Sequence, residues 1–394
     1  MRLFLQDCGV VCPLGSGKAE VARALFAGCS DALVSREDLL PDRAVLVGAV
    51  PGDLPPLPAG LEAFDSRNNR LMLAALNQIT EAVEAAASRY GRDRVAVVLG
   101  TSTSGIAEGE AALAAFRADG AWPPAFDYRQ QETGSLAECA ARALGLTGPA
   151  YTVATACSSS GKVFASARRL IRAGLADAAV VGGADTLCQM TLNGFGALQA
   201  LSQTRCNPFS ANRDGITIGE GAAAFLLSAE PGFVEFLGIG ETSDAHHATA
   251  PDPEGLGARD AMLQALTDAG LTAADIAYVN LHGTATALND AMESKAVAAV
   301  FGGATPCSST KGMTGHMLGA TGGVEAAFLW LALNPATNPD SLLPPHLWDG
   351  VPDPALPPLH LVPLGTRLRE GAMLSNSFGF GGSNVALILG RGAV

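Results

Sequence analysis

Short apolar runs rich in β-branched residues alternate along this chain with longer stretches whose apolar residues recur at helical spacing. The runs 96–99, 151–154, 179–181 and 222–227 read as strands, and 71–87, 108–117 and 162–173 read as helices. The theme returns further on, with a helix over 258–269, a strand over 276–280 and helices over 290–300 and 323–333. A Pro-rich loop over 335–358 and a final strand pair close the pattern. Strands alternating with helices predict an α/β architecture. No short solenoid repeat or low-complexity tract interrupts it.

The chemistry sits where apolar runs stop. Cys157 lies in Thr155-Ala156-Cys157-Ser158-Ser159-Ser160-Gly161, between a strand-like and a helix-like stretch. A thiol there meets the free N–H groups and positive dipole end of the helix, both of which favour thiolate. His282 lies in His282-Gly283-Thr284-Ala285-Thr286, and His316 in Lys311-Gly312-Met313-Thr314-Gly315-His316. Each histidine is set among small residues that let a substrate approach. One cysteine and two histidines, each ending an apolar run, form a set suited to nucleophilic catalysis.

These segments resemble those of the β-ketoacyl-[acyl carrier protein] synthases, the condensing enzymes of fatty-acid and polyketide synthesis. Two further segments carry the same likeness, 207–221 with its Arg213-Asp214-Gly215, and the glycine-rich 375–384. The motifs stand in the family order from Gly9 to Asn384, nearly the whole chain. The resemblance implies a thiolase-like fold of two related halves packed as α-β-α-β-α layers. Residues 1–231 would carry the nucleophile and 232–394 the two histidines.

It also implies roles. Cys157 would take the acyl chain, and the N–H groups of Cys157 and Phe380 would form an oxyanion hole. The Phe380 ring would gate the two half-reactions. His282 and His316 would hold the enolate left when a malonyl carrier loses carbon dioxide, with Lys311 fixing local charge. Glu293 matches an acidic family position and could orient Lys311, although Asp290-x-x-Glu293 also reads as a helix capping box. Thr284 and Thr286 would meet the phosphopantetheine arm. Gly105 and Ile106 would shape the distal acyl pocket at a dimer interface, and Arg67, Arg70 and Arg205 would dock the acidic carrier. No metal or cofactor of the protein's own is implied, since the carrier brings the phosphopantetheine. The partners expected are acyl carrier protein and a second subunit, identical or a chain-length-factor-like paralogue.

Composition narrows the setting. Of 394 residues, 48% are hydrophobic and only 16% charged, which predicts extensive burial, partly in a subunit interface. A net charge of −13 argues against a general nucleic-acid binder and means carrier docking needs a local basic patch. The apolar run 326–333 is too short to span a bilayer. Eight scattered cysteines fit reduced thiols in the cytoplasm better than a disulfide framework, and Cys8 with Cys12 has no second pair to complete a zinc site. Gly15-Ser16-Gly17-Lys18 lacks the flanking residues of a phosphate loop, and adjacent His246 and His247 form no site.

Leu281, Ala287 and Asn289, and the segment 100–106, depart from the pattern common in primary metabolism. They leave the substrate open between fatty-acid elongation and a secondary pathway such as aryl-polyene synthesis. A chain-length factor would have lost the nucleophile, a degradative thiolase would carry cysteine at position 316, and a starter-unit synthase would pair His with Asn.

Overall fold

The computed structural model describes residues 1–29 and 31–392; the last two residues of the expected second half lie outside the described residues. Its first sheet is built from β1 (Leu3–Cys12), β2 (Val95–Gly100), β3 (Ala150–Val153), β4 (Ala178–Asp185) and β5 (Gly221–Ser228). The spatial order is β1-β5-β4-β2-β3, with β4, β2 and β3 mutually parallel and β5 antiparallel to both β1 and β4. The second sheet uses β6 (Val234–Ser243), β7 (Ile276–Asn280), β8 (Pro306–Ser308), β9 (Ala372–Gly379) and β10 (Ser383–Arg391). Its order, β6-β10-β9-β7-β8, repeats the first with the same parallel and antiparallel pairings. The two join where Leu3–Leu5 of β1 pairs with Val234–Phe236 of β6. The boundary expected after residue 231 falls in the turn between β5 and β6.

All residues of β2, β4 and β5 are buried, as continuous apolar strands covered on both faces should be. Helices α1 (Arg67–Leu76), α2 (Thr80–Tyr90), α3 (Ile106–Asp119), α4 (Ser135–Ala143), α5 (Ser159–Arg172), α6 (Gln189–Ala197), α7 (Leu256–Ala269), α8 (Ala287–Phe301) and α9 (Thr321–Leu333) complete the framework. Helices α1, α2 and α4 cover the outer face of the first sheet, and α7, backed by α8, covers that of the second. Between the sheets lie α5 and α9. This is the five-layer α-β-α-β-α arrangement expected. Phe164 of α5 packs on Phe225 of β5 and Phe236 of β6, with ring centroids 5.6 and 5.9 Å away, so one side chain bridges both sheets. Every residue of α9 is buried, which explains why it is apolar all round.

One helix expected over 71–87 is two, α1 and α2. The break follows Asn77, where the Gln78 amide binds both the N–H and the carbonyl of Val10 in β1. Among the described residues no helix is long and apolar enough to cross a membrane.

Candidate active site

The parallel strands β2, β3 and β4 all end on the same side, and the nucleophile segment leaves β3 there. Ala156 adopts a left-handed φ of 52°, a strained state for a residue with a Cβ, and turns the chain sharply into α5. Its carbonyl accepts from Ser159 Oγ at 2.6 Å and from Ser102 Oγ at 3.1 Å, contacts that hold the bend. Cys157 follows the bend, buried, just before the helix.

The Cys157 Sγ lies 3.0 Å from His316 Nε2. Burial pushes the thiol up to about 11, while the Phe380 N–H and the Lys311 charge pull it down. The thiolate expected from the helix start is therefore not the resting form. Desolvation outweighs the helix end, and a proton must leave as sulfur reacts.

The two histidines come from the second sheet. His282 follows β7, and its backbone N–H and that of Gly283 each donate to the Glu293 carboxylate at 2.7 Å. His316 follows the helical turn Lys311–Thr314, and its N–H donates to the Thr217 carbonyl at 2.7 Å. The two imidazoles stand nearly perpendicular, with centroids 5.2 Å apart. Nitrogen and sulfur atoms of Cys157, His282 and His316 all lie within 4.8 Å of one another. Burial and the Lys311 charge hold both imidazoles well below the usual histidine range, so both are neutral. His316 Nδ1 meets Thr321 Oγ1 at 3.0 Å. A hydroxyl both donates and accepts, so this contact serves either imidazole tautomer.

Lys311 is fully buried, and its Nζ lies 2.6 Å from Glu325 Oε1 on α9. Glu325, not Glu293, is thus the partner of Lys311. Nor does Glu293 form a capping box with Asp290. The Asp290 carboxylate accepts from the N–H groups of Phe209 and Ala285 instead, and Glu293 orients the histidine loop. Burial pushes the Glu293 carboxyl up to about 7. Glu325 and Thr321 were missed by sequence reasoning; the one trace of Glu325 is that it is the sole charge on the most apolar helix.

Thr284 and Thr286 place their hydroxyls 3.0 Å apart. Thr286 lines a cavity of about 330 Å³ whose walls include Phe378, Gly379, Phe380 and Arg213. The Phe380 ring is 37% exposed at this mouth and rests on Phe195 of α6, with centroids 5.4 Å apart. None of the remaining candidates is among the groups that meet the Cys157 thiol. Gly105 precedes α3 in close contact with backbone of its own subunit, and Ile106 is half-buried at the helix start. The Arg67 guanidinium is held by buried Glu220, and that of Arg70 by Asp65. Arg205 makes no ion pair among the described residues.

Residues 59–231 match the family described as beta-ketoacyl synthase, N-terminal domain, and residues 233–343 match its C-terminal domain. The chain belongs to the β-ketoacyl synthase family. It is similar to 3-oxoacyl-[acyl-carrier-protein] synthase 2 of Staphylococcus aureus, 39% identical over 263 residues, which are 62% of this chain and 64% of that protein. The enzyme of that name from Rhizobium meliloti (strain 1021) is 41% identical over 267 residues, 62% of each chain. The aligned part thus spans less than two thirds of these relatives. Among solved structures, a ketosynthase (ApeO) in complex with its chain length factor (ApeC) from Xenorhabdus doucetiae is similar over 99% of this chain and 98% of that one. Its TM-score is 0.94 and its identity 44%. The ishigamide ketosynthase/chain length factor gives a TM-score of 0.87 at 28% identity, over 99% and 98% of the two chains.

Proposed function

We propose that the protein condenses a Cys157-bound acyl chain with malonyl-[acyl carrier protein], releasing carbon dioxide and giving 3-oxoacyl-[acyl carrier protein]. The observation that carries this is the buried trio itself, a thiol 3.0 Å from one neutral imidazole with a second imidazole beside it. Sulfur attacks the acyl thioester carbonyl as the thiol proton passes to His316 Nε2, which returns it to the leaving pantetheine sulfur. The N–H groups of Cys157 and Phe380 stabilise the tetrahedral oxyanion.

In the second half-reaction the C–CO₂ bond of the malonyl group breaks, and its electron pair becomes an enolate. Neutral His282 and His316 each donate an N–H to the enolate oxygen. For His316 this requires the proton on Nε2, with Nδ1 accepting from Thr321. The enolate carbon attacks the Cys157 thioester, and collapse of the oxyanion expels the sulfur as thiolate, which takes up a proton from solvent to restore the thiol before the next acylation. No resident cofactor enters this scheme; the carrier's phosphopantetheine would run along the cavity beside Thr284 and Thr286.

A second subunit is part of the proposal. Phe116 in the last turn of α3 and Trp122 and Phe126 just after it stack on one another, with Phe116 and Trp122 38% and 51% exposed. Such an aromatic surface suits burial against another chain. The likeness to a ketosynthase in complex with its chain length factor supports a paralogue as that chain; the setting we propose is a secondary pathway such as aryl-polyene synthesis, in the cytoplasm. The alternative, that this chain is itself the inactive partner, is disfavoured by its intact Cys157, His282, His316 and Lys311.

Intact-mass measurement after mixing with a panel of acyl carriers tests the proposal. A thioester adduct should form on the wild type, be absent from Cys157→Ala, and be consumed on adding malonyl carrier. Adduct formation and turnover in Cys157→Ala would overturn it. Chromatography with light scattering, with and without a co-expressed paralogue, separates homodimer from heterodimer.

A further inference from the structure

Asp185, the last residue of β4, is fully buried and has no cationic partner among the described residues. Its Oδ1 accepts from Thr101 Oγ1, Ser102 N and Thr103 N at 2.7 Å each, and from Thr103 Oγ1 at 2.8 Å. Its Oδ2 accepts from Ala320 N at 3.0 Å. One carboxylate thus binds the loop after β2 and, from the other half of the molecule, the residue just before α9. Each attachment continues to a reacting group. Ser102 donates its hydroxyl to the carbonyl of Ala156, the strained residue before Cys157. Ala320 directly precedes Thr321, whose hydroxyl meets His316 Nδ1. The packing leaves no slack, since a Cβ on Gly319 would lie 2.4 Å from Ser102 Oγ and 2.8 Å from Asp185 Oδ2.

We infer that Asp185 is a positioning residue that, through Ser102 and Ala320, sets the distance between the Cys157 thiol and His316. It touches no reacting atom, and the inference rests on the condensing activity proposed above only for its kinetic readout. The hub explains why a carboxylate without a counterion is retained in the interior. No neutral side chain of this size accepts on both oxygens, and a carboxylate fixes donors from the two halves at one point. Its charge has a second consequence. Burial pushes the Asp185 carboxyl up while the donors of residues 101–103 pull it back, and in its ionised form it disfavours thiolate at Cys157 and so adds to the effect of burial.

The test uses the full-length protein with its partner subunit if it has one. Asp185→Asn keeps the shape, removes the charge and sets an NH₂ against existing donors. Ser102→Ala keeps the charge and breaks only the link to Ala156. With iodoacetamide as probe, Asp185→Asn should move the pH profile of Cys157 alkylation down by about half a unit. Ser102→Ala should leave its midpoint in place and change the limiting rate several-fold. In condensation, both variants should lose kcat, about 10- to 100-fold for Asp185→Asn, with KM for the acyl carrier changed less than about twofold.

Alkylation profiles and kcat values unchanged in both variants would overturn the inference, as would activity loss matched entirely by loss of folded protein. If Asp185→Asn does not fold, Ser102→Ala decides, and unchanged alkylation and kcat there count against the hub. If the wild type does not condense, the condensing proposal fails, while alkylation of the free enzyme still tests Asp185.

Discussion

Lys311 Nζ and Glu325 Oε1 lie 2.6 Å apart with neither side chain exposed to solvent, beside two imidazoles that must stay neutral. Burial pushes the Glu325 carboxyl up and the Lys311 charge pulls it back, so Glu325 depends on Lys311 to stay ionised in the interior. The Lys311 charge also lowers the affinity of both histidines for a proton. Breaking the pair from one side, as Lys311→Met or Glu325→Gln, should cost about 3–5 kcal/mol of stability. The double variant Lys311→Met/Glu325→Leu should recover most of that but not the condensation rate. Urea denaturation and turnover on the same three proteins check this; full activity in the double variant would reduce the pair to packing.

The histidines should divide the work unequally. His316 touches both the thiol and the place where an enolate would form, whereas His282 has no contact with sulfur short enough to be a hydrogen bond. His282→Ala should lower malonyl decarboxylation by roughly 10²–10³ and leave acylation of Cys157 within a few-fold. His316→Ala should lower both. Single-turnover acylation by intact mass and carbon dioxide release measured separately read the two steps. A His316→Ala variant that acylates at the wild-type rate would remove the proton-relay role.

Chain-length control has to be tested at Ile106 rather than Gly105. A Cβ at Gly105 would lie 2.2 Å from the Gln130 carbonyl oxygen, so a larger residue there distorts its own subunit before it fills any pocket. Gly105→Ala should destabilise by at least about 1–3 kcal/mol. Ile106→Phe should keep the fold and shorten the longest acyl chain accepted, if the segment faces the partner's pocket. An unchanged chain-length profile on confirmed dimers would take Ile106 out of the pocket.

Carrier docking should respond most cleanly at Arg205. The Arg67 guanidinium donates to both oxygens of buried Glu220, which also accepts from the Val50 N–H, so Arg67 supports the interior. Arg67→Ala should therefore lower the melting temperature. Arg205→Ala should leave it within about a degree and raise KM for the acyl carrier, an effect that shrinks with added salt. Equal stability losses in the two variants would contradict this division.

How far these residues were legible in the sequence follows from where they sit. Cys157, His282 and Lys311-to-His316 each follow a short apolar strand, so local pattern and family likeness found them together. Glu325, Thr321 and Asp185 belong to apolar stretches whose chemistry appears only when distant segments meet. Lys311 and Glu325 are on different elements, and Asp185 gathers donors from residues 101–103 and 320. Strand β6 was not anticipated because glycines at 238 and 240 interrupt its apolar alternation, and there α7 backbone approaches too closely for a Cβ. Glu293 was found by family likeness, but neither the capping box its spacing suggested nor the expected contact with Lys311 forms. Spacing along a helix reports neighbours on that helix, and this carboxylate reaches back to the loop before it.

Acid stability offers a test that needs no substrate. His346 is buried, its Nδ1 accepts from the Ser309 N–H and its Nε2 donates to the Pro208 carbonyl, each at 3.0 Å. It thereby ties the start of the Lys311 segment to the loop before Arg213. Burial holds its imidazole down at about 4, against 6.5 for a free histidine. Between these values the unfolded chain binds a proton that the folded protein does not, so the stability it supports is complete above pH 6.5 and drains away as pH falls towards 4. The full loss is on the order of 3 kcal/mol. Two buried carboxyls act in the opposite sense. Asp290 and Glu293 are pushed up to about 6 and about 7, so the stability linked to them is complete at low pH and lost as pH rises through those values. A single pH curve mixes these contributions, and a variant isolates the first. Gln in place of His346 can accept from Ser309 and donate to Pro208 without titrating. His346→Gln should be somewhat less stable than the wild type at pH 8, and the gap should close or reverse by pH 4.5. Urea midpoints across that range measure it. Two parallel curves would mean that His346 is not held neutral by the fold.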